Sequence, residues 1–179
     1  IVADHGEGIG EHHFMGHSFV AYQELVQVPL LIKFPEKQGS EQRLATTVST
    51  RRLFHTILEA ARLEVFETNY RPATDVKALS LKQTLAGQDP EEGVVFVEAY
   101  PPTTFLSMMS KNAPHLLDQF HCRLNRWAAY RNDHKLVKIE GVQDELFNLA
   151  ADPAETRNII DQAAETAADL SGKLKAFIP

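Results

Sequence analysis

Apolar residues in the first third of the chain form two short runs and one helical stripe. Residues 1–3 (IVA) are apolar, and residues 28–34 (VPLLIKF) form a second, nearly continuous apolar run. Short runs of this kind predict buried β-strands. A later stripe has the spacing of an amphipathic helix facing a core, and its members are Leu53, Phe54, Ile57, Leu58 and Ala61. Strand, loop, strand and helix in this order predict an α/β layer.

The second half of the chain has the pattern of an antiparallel sheet followed by a helix. Asn132-Asp133 is a plausible hairpin turn between two of the predicted strands, and apolar residues recur at helical spacing from Ala163 to Phe177. Residues 100–118 contain three prolines and are predicted to be irregular. The predicted strands are residues 93–99, 126–131, 134–140 and 144–149.

These patterns divide the chain into two predicted parts. Residues 1–92 are predicted to belong to an α/β sheet domain that carries the functional loop described below. Residues 93–179 are predicted to form a small antiparallel sheet packed on a C-terminal helix. The fold class that we expect is therefore α/β.

Composition narrows the class of protein. The 179 residues are 44% hydrophobic and 23% charged, which is typical of a globular domain with a real core. A net charge of −6 with no basic block argues against a nucleic-acid partner, which needs clustered Lys and Arg. No apolar run reaches the roughly 18 residues that span a bilayer, so we expect no membrane span.

The first residues of the chain are those expected of a piece of a longer protein. It lacks an initiator Met and the basic and apolar regions of a signal peptide, and it opens directly in a predicted strand. We therefore expect the N-terminal part of the same protein to be its structural partner, and the sequence assigns no compartment. The single cysteine, Cys122, excludes a disulfide within the chain.

Residues 4–17 (DHGEGIGEHHFMGH) concentrate the chemistry of the chain. They hold four of its eight histidines and three carboxylates. Asp4 and His5 follow a predicted strand, where α/β sheets gather ligands, and Gly6 permits the sharp turn that would let both side chains face one cation. A hydrogen-bonded loop element is the plainer alternative. A dinucleotide loop is rejected, because the glycine spacing does not match and Glu7 would oppose a pyrophosphate.

Longer motifs at both ends of the chain resemble the sulfatase family. The segment ADHGEGIGEHHFMGHSFVAYQELVQVPLLIKFP is similar to the family's Asp-His-Gly-Glu, Gly-Glu-His and Val-Pro-Leu-Ile-Ile pattern. Residues 127–136 (WAAYRNDHKL) resemble its Arg-Thr-x-x-Tyr-Lys-Leu hairpin. Residues 144–158 (DELFNLAADPAETRN) resemble its closing Asp-Pro-x-Glu-x-x-Asn segment, whereas residues 62–120 match weakly.

The resemblance implies the C-terminal portion of a metal-dependent sulfuric ester hydrolase in the alkaline phosphatase superfamily. It implies that Asp4 and His5 are metal ligands and that His17, where many members carry lysine, contacts the substrate or protonates the leaving alkoxide. The metal implied is divalent, with calcium typical of the family. Further aspartate ligands and a formylglycine nucleophile are implied in the N-terminal part, and the substrate is a small-molecule or glycan sulfate ester.

Two departures from the family pattern keep alternatives open. His5 stands where calcium-dependent arylsulfatases commonly have Asn, and nitrogen donation favours manganese or zinc. His17 replaces the usual lysine. Both changes occur in phosphate- and phosphonate-ester hydrolases of the superfamily, which are the nearest alternative. A non-catalytic metal- or partner-binding module is the other, because the chain has no nucleophile at the expected place.

Cys122 lies in a partial match to the sequence signature of that nucleophile. Residues 122–126 (CRLNR) place Cys and Arg at the spacing of a formylglycine signature, but Leu124 occupies the Pro or Ala position and the segment lies downstream of the metal loop. We therefore interpret Cys122 as a packing residue. Turnover by the 179-residue chain alone is not expected.

Overall fold

The structure is a computed structural model that describes residues 1–34, 41–63 and 75–178. Short strands and then short helices form the first part of the chain, and a sheet followed by a helix forms the last part. In chain order the elements are β1 (Gly8–Ile9), β2 (Met15–Gly16), α1 (Gln23–Val26), α2 (Arg52–Ala60), α3 (Leu81–Leu85), β3 (Val94–Ala99), α4 (Thr103–Asn112), α5 (Pro114–Gln119), β4 (Arg126–Arg131), β5 (His134–Ile139), β6 (Glu145–Asn148) and α6 (Ala164–Phe177).

The largest sheet has four strands in the order β3-β4-β5-β6. Strands β4 and β5 pair antiparallel from Arg126↔Ile139 to Arg131↔His134, so the connection between them is two residues long. Asn132 takes a positive φ of 53° there, a conformation that Asn tolerates better than most residues. Strand β6 continues the antiparallel order on the other side of β5. The predicted strands and hairpin turn are confirmed.

Helix α6 covers one face of this sheet. Its buried residues Leu170 and Leu174 pack with three buried residues of β4, β5 and β6, which are Ala129, Leu136 and Leu146. Alternation along a strand sends every second side chain to this face, and the 4-3 spacing on α6 supplies the matching stripe. The predicted α/β fold class, with a small antiparallel sheet packed on a C-terminal helix, is confirmed.

The opposite face of the sheet packs against the beginning of the chain. Ala21 is buried with Ala128, Val137, Ile139 and Phe147. Tyr22 packs against the same cluster, and its ring meets that of Phe147 edge-on at a centroid distance of 6.3 Å. The residues that follow the polar loop are therefore fixed on the C-terminal sheet.

The chain forms two compact units, residues 1–31 with 96–179 and residues 32–95. In the second unit, α2 buries its polar side and not the predicted apolar stripe. Arg52 donates hydrogen bonds to the carbonyl oxygens of Leu79 (3.0 Å) and Ser80 (3.1 Å), while Phe54 and Ile57 are more than half exposed. The helix was predicted correctly and its buried face was not. The predicted boundary between residues 92 and 93 stays a prediction.

Residues 100–118 form helices, so their prediction as an irregular segment is wrong. Pro102 is the residue just before α4, and Pro114 is the first residue of α5. Proline is well tolerated at the start of a helix, because the N–H that it lacks would have no partner there. These prolines therefore mark helix starts.

The two strands predicted in residues 1–3 and 28–34 are reduced to one bridge. Val2 pairs with Leu30, and the Leu31 N–H donates to the carbonyl oxygen of Ile1 at 2.8 Å. The side chains of Ile1 and Leu31 are largely exposed, so the predicted burial of these runs is wrong within residues 1–31. No helix among the described residues is both long and apolar enough to cross a bilayer.

We predict that Leu174→Ala lowers the free energy of unfolding of the intact protein by about 2–5 kcal/mol, because it opens a cavity at a fully buried position. Lys175→Ala, one residue further along the same helix but exposed, is the control and is expected to change stability by less than about 0.5 kcal/mol. Denaturant unfolding of the two variants checks this. Equal midpoints would show that α6 does not complete the core.

Candidate metal and ester-hydrolysis site

A short hairpin organises the polar loop. Strands β1 and β2 pair antiparallel with Gly8 opposite Gly16 and Ile9 opposite Met15. The Glu11 carboxylate accepts the N–H of Ile9 at 2.7 Å across the connection. Hydrogen bonds from its own N–H and from that of Ile9 lower the pKa of Glu11, so this carboxylate is a turn element.

The hairpin register brings Glu7 and His17 together. Glu7 precedes Gly8 and His17 follows Gly16, so these two residues face each other where the ladder ends. His17 Nδ1 lies 2.8 Å from Glu7 Oε2. Since a carboxylate can only accept, Nδ1 carries the proton and Nε2 is the free nitrogen of a neutral His17. Both side chains are about half exposed, so a ligand can reach them.

His5 stacks on this pair and contacts Asp4. The rings of His5 and His17 lie 4.3 Å apart, centroid to centroid, at an interplanar angle of 25°. His5 Nε2 is 3.8 Å from Asp4 Oδ2. The other Asp4 carboxylate oxygen accepts the backbone N–H of His5 at 3.2 Å. The structure therefore brings the three predicted site residues, Asp4, His5 and His17, into one exposed patch together with Glu7.

The donor atoms of this patch suit a divalent cation. His5 Nδ1 donates to the carbonyl oxygen of Gly6 at 2.7 Å, which leaves the lone pair of Nε2 for a metal. Two ligands of one ion, each about 2.0–2.6 Å from it, lie about 3–4 Å apart. The 3.8 Å between His5 Nε2 and Asp4 Oδ2 falls in that range. Ligand atoms of His5, Glu7 and His17 also lie within 4.8 Å of one another.

A backbone contact fixes the position of Asp4 and His5. The Gly6 N–H donates to the carbonyl oxygen of Leu25 at 2.8 Å. A Cβ atom at Gly6 would lie 1.9 Å from the carbonyl oxygen of Glu24, so only glycine lets the loop approach α1 this closely. The glycine after the Asp-His pair is therefore needed for close approach.

A second cluster of polar residues lies next to the turn of the hairpin. His12 stacks on Tyr22 with ring centroids 3.6 Å apart, and its Nε2 is 3.7 Å from Glu24 Oε1. Donor atoms of His12, Glu24 and Glu155 lie within 4.8 Å of one another. Burial and the nearby Glu145 raise the pKa of Tyr22 to about 12, so its hydroxyl stays protonated.

Cys122 lies in an apolar cluster with Phe19 and Leu117, and it is 1% exposed. Burial raises the pKa of its thiol, which opposes formation of the thiolate that a nucleophile needs. This environment agrees with its interpretation as a packing residue.

Sequence reasoning missed the role of Glu7. The sequence indicated no partner for Glu7 and left it outside the predicted site residues. The two-residue strands are too short to produce an alternation of apolar and polar positions. The sequence signal for this hairpin was that Gly8 and Gly16 flank a possible turn. That placement permits a hairpin but does not require it.

Comparison with known proteins finds sequences similar to this chain. The Sulfatase family model matches residues 1–63. The chain is 27% identical over 159 residues to the "uncharacterized sulfatase YidJ" of Escherichia coli K12, covering 89% of this chain and 27% of that protein. It is 25% identical over 170 residues to the Delta 4,5-hexuronate-2-O-sulfatase of Bacteroides thetaiotaomicron, covering 89% of this chain and 29% of that protein.

The fold is also found in solved structures. The phosphonate monoester hydrolase of Agrobacterium radiobacter superimposes with a TM-score of 0.67 and 21% identity, over 98% of this chain and 33% of that one. This likeness confirms the predicted alkaline-phosphatase-like α/β fold. The chain spans less than a third of the length of the curated relatives named above.

Gly6→Ala should separate the loop from α1, because the added methyl group meets backbone that cannot move aside. We expect a lower thermal midpoint and faster amide exchange at residues 5–7 in the intact protein. Gly172→Ala is the matched control, since its Cβ meets nothing within 4 Å on helix α6 and alanine favours a helix by up to about 1 kcal/mol. Unchanged exchange in Gly6→Ala would contradict the tight contact.

Proposed function

We propose that this chain, whose first 63 residues match the Sulfatase family model, forms part of a metal-dependent sulfuric ester hydrolase. Asp4 and His5 are the metal ligands that it contributes, and His17 is its substrate-contacting residue. The observation that carries the proposal is the meeting of Asp4, His5 and the Glu7–His17 pair in one accessible patch. The remaining ligands and the nucleophile, expected as formylglycine, are assigned to the N-terminal part of the same protein.

The hydrogen bonds of His5 prepare it for this role. With Nδ1 donating to Gly6, the ring is held in the tautomer that offers Nε2, and Asp4 supplies an anionic oxygen beside it. A bound divalent cation would polarise an ester oxygen and favour the deprotonated nucleophile. Calcium is the family's usual ion, whereas the His5 nitrogen favours manganese or zinc.

Glu7 determines which nitrogen of neutral His17 carries the proton. The carboxylate fixes the Nδ1–H tautomer and stabilises the imidazolium if Nε2 also takes a proton. In that state His17 can donate from Nε2 to an anionic ester oxygen or to the departing alkoxide. The Glu7–His17 pair therefore performs the task that a lysine performs in many sulfatases, with a charge that depends on protonation.

The proposed substrate is a small-molecule or glycan sulfate ester. The relative from Bacteroides thetaiotaomicron is named as a sulfatase of a hexuronate 2-O-sulfate, which supports the glycan class for this chain.

A phosphonate or phosphate ester hydrolase is the second candidate. The donor set favours it, because imidazole nitrogens occupy the two positions where calcium-dependent arylsulfatases use Asn and many sulfatases use Lys. The fold shared with a phosphonate monoester hydrolase supports the same reading. Assay of the intact protein on 4-nitrophenyl sulfate and on 4-nitrophenyl phenylphosphonate separates the two candidates.

We predict that Asp4→Ala and His5→Ala each abolish ester hydrolysis by the intact protein, because each removes a proposed ligand atom. Calorimetry should show a loss of divalent-metal affinity of at least about tenfold, while the circular dichroism spectrum stays that of the parent. His13→Ala, an exposed histidine of the same loop, is the control and should leave both properties unchanged. Parental rates and affinities in both ligand variants would remove Asp4 and His5 from the site.

For His17→Ala we expect a fall in kcat of about 10²–10⁴-fold, as for loss of a general acid. Glu7→Gln should lower kcat by a smaller factor, about tenfold, since the amide still holds the ring but no longer stabilises its charge. Glu11→Gln, a change of the same type in the hairpin turn, should leave kcat unchanged. Steady-state kinetics at saturating metal measures all three. Equal kcat values in Glu7→Gln and Glu11→Gln would show that Glu7 does not act through His17.

A further inference from the structure

A buried ion pair links the closing segment of the chain to the residues that follow the polar loop. Lys135 Nζ lies 2.7 Å from Glu155 Oε1, and both side chains are almost fully buried, at 1% and 0% exposure. The second oxygen, Glu155 Oε2, accepts the Gln23 N–H at 2.6 Å. Lys135 Nζ also donates to Gln23 Oε1 at 3.3 Å. Glu155 therefore holds the first residue of α1 and β5 at once.

The backbone of the closing segment is shaped for this contact. Glu155 has a φ of 51°, which is uncommon for a residue other than glycine. Asp152 accepts the Arg157 N–H at 2.8 Å and the Thr156 hydroxyl at 3.1 Å. Asn158 accepts the Leu146 N–H at 3.0 Å and fixes the segment to β6. An unfavourable conformation at a fully buried carboxylate is typical of a residue held for a specific contact.

The same polar cluster continues to the hairpin. Glu24, next to Gln23, lies 3.7 Å from His12 Nε2, and His12 stacks on Tyr22. His12 belongs to the turn between β1 and β2. Glu7 and His17 lie at the opposite end of the same hairpin. Residues 22–24 thus contact the hairpin turn on one side and the buried ion pair on the other.

A metal ion is not needed to explain this cluster. His12, Glu24 and Glu155 could together offer three ligand atoms. However, one Glu155 oxygen already pairs with the ammonium group of Lys135, and the other accepts the Gln23 N–H. The charge of Lys135 therefore occupies the place that a cation would take.

We propose that Glu155, through Lys135 and the N–H of Gln23, is a positioning residue for the hairpin that carries Glu7 and His17. Its consequence for ester hydrolysis rests on the proposed function, whereas its effect on the hairpin does not. Removing either partner alone would leave a buried charge without its counterion, and the protein could fail to fold for that reason. The informative variants therefore change both residues together.

Three double variants of the intact protein test the proposal. Lys135→Met with Glu155→Met removes the charges and the acceptor for the Gln23 N–H. Lys135→Met with Glu155→Gln removes the charges but keeps an oxygen that can accept this N–H. Lys138→Met with Asp144→Met is the matched control, because Lys138 lies on the same strand and pairs with Asp144 at 2.8 Å without contacting residues 22–24.

Amide exchange at residues 6–17 is the primary measurement. We expect it to be about tenfold or more faster in the Lys135→Met/Glu155→Met variant, as for loss of a charge-assisted anchor. The glutamine variant should recover most of the protection, and the control should keep all of it. Under the proposed function, kcat should follow the same order while the thermal midpoints of the three variants stay close.

The outcomes separate the two proposals. Equal exchange at residues 6–17 in all three variants would overturn the positioning role, whatever their activity. Equal exchange in the methionine and glutamine variants would also overturn it, because the acceptor for the Gln23 N–H would then make no difference to the hairpin. Changed exchange in a protein whose parent hydrolyses no sulfate or phosphonate ester would support the positioning role and refute the proposed function.

Discussion

A loop made of glycine and charged residues cannot bury enough apolar surface to hold one shape by itself. Residues 4–17 of this chain consist largely of glycine, acidic residues and histidine, and their order depends on what they contact, including the packing of Phe14 on Phe19. The Gly6 backbone lies against α1, His12 stacks on Tyr22, and the N-terminal residue of α1 is held by a buried carboxylate, Glu155. The C-terminal sheet is therefore the support from which the polar loop obtains its geometry.

The closing segment, which includes Glu155, contributes to this support through the ion pair of Lys135 with Glu155. The ion pair of Lys135 with Glu155 is buried, and burial lowers the pKa of the lysine while the adjacent carboxylate opposes that shift. Pairs of this kind contribute little net stability, because desolvation of both charges offsets their attraction. The pair does fix the orientation of the Glu155 carboxylate, because this group must reach both Nζ of Lys135 and the N–H of Gln23.

The sequence predicted the C-terminal sheet and helix well, because alternation on β4 and β5 and the stripe on α6 are strong local signals. It failed where tertiary contacts decide. Helix α2 buries Arg52 because carbonyl oxygens of residues 79 and 80 satisfy the guanidinium, which no periodicity reveals. The Asp-His pair was visible as a candidate site. The partnership of Glu7 with His17 was not, because it follows from a register set by two glycines.

The replacement of a lysine by a Glu7–His17 pair has an electrostatic consequence for the proposed chemistry. A lysine brings a permanent positive charge to the substrate. Neutral His17 with Glu7 brings a net negative charge, and only protonation of the imidazole cancels it. Such a pair suits an ester that carries one negative charge, as sulfate and phosphonate monoesters do, better than a doubly charged phosphate monoester. On this reasoning, the chemistry shared by the two candidate substrates is their single charge, and the nucleophile decides between them.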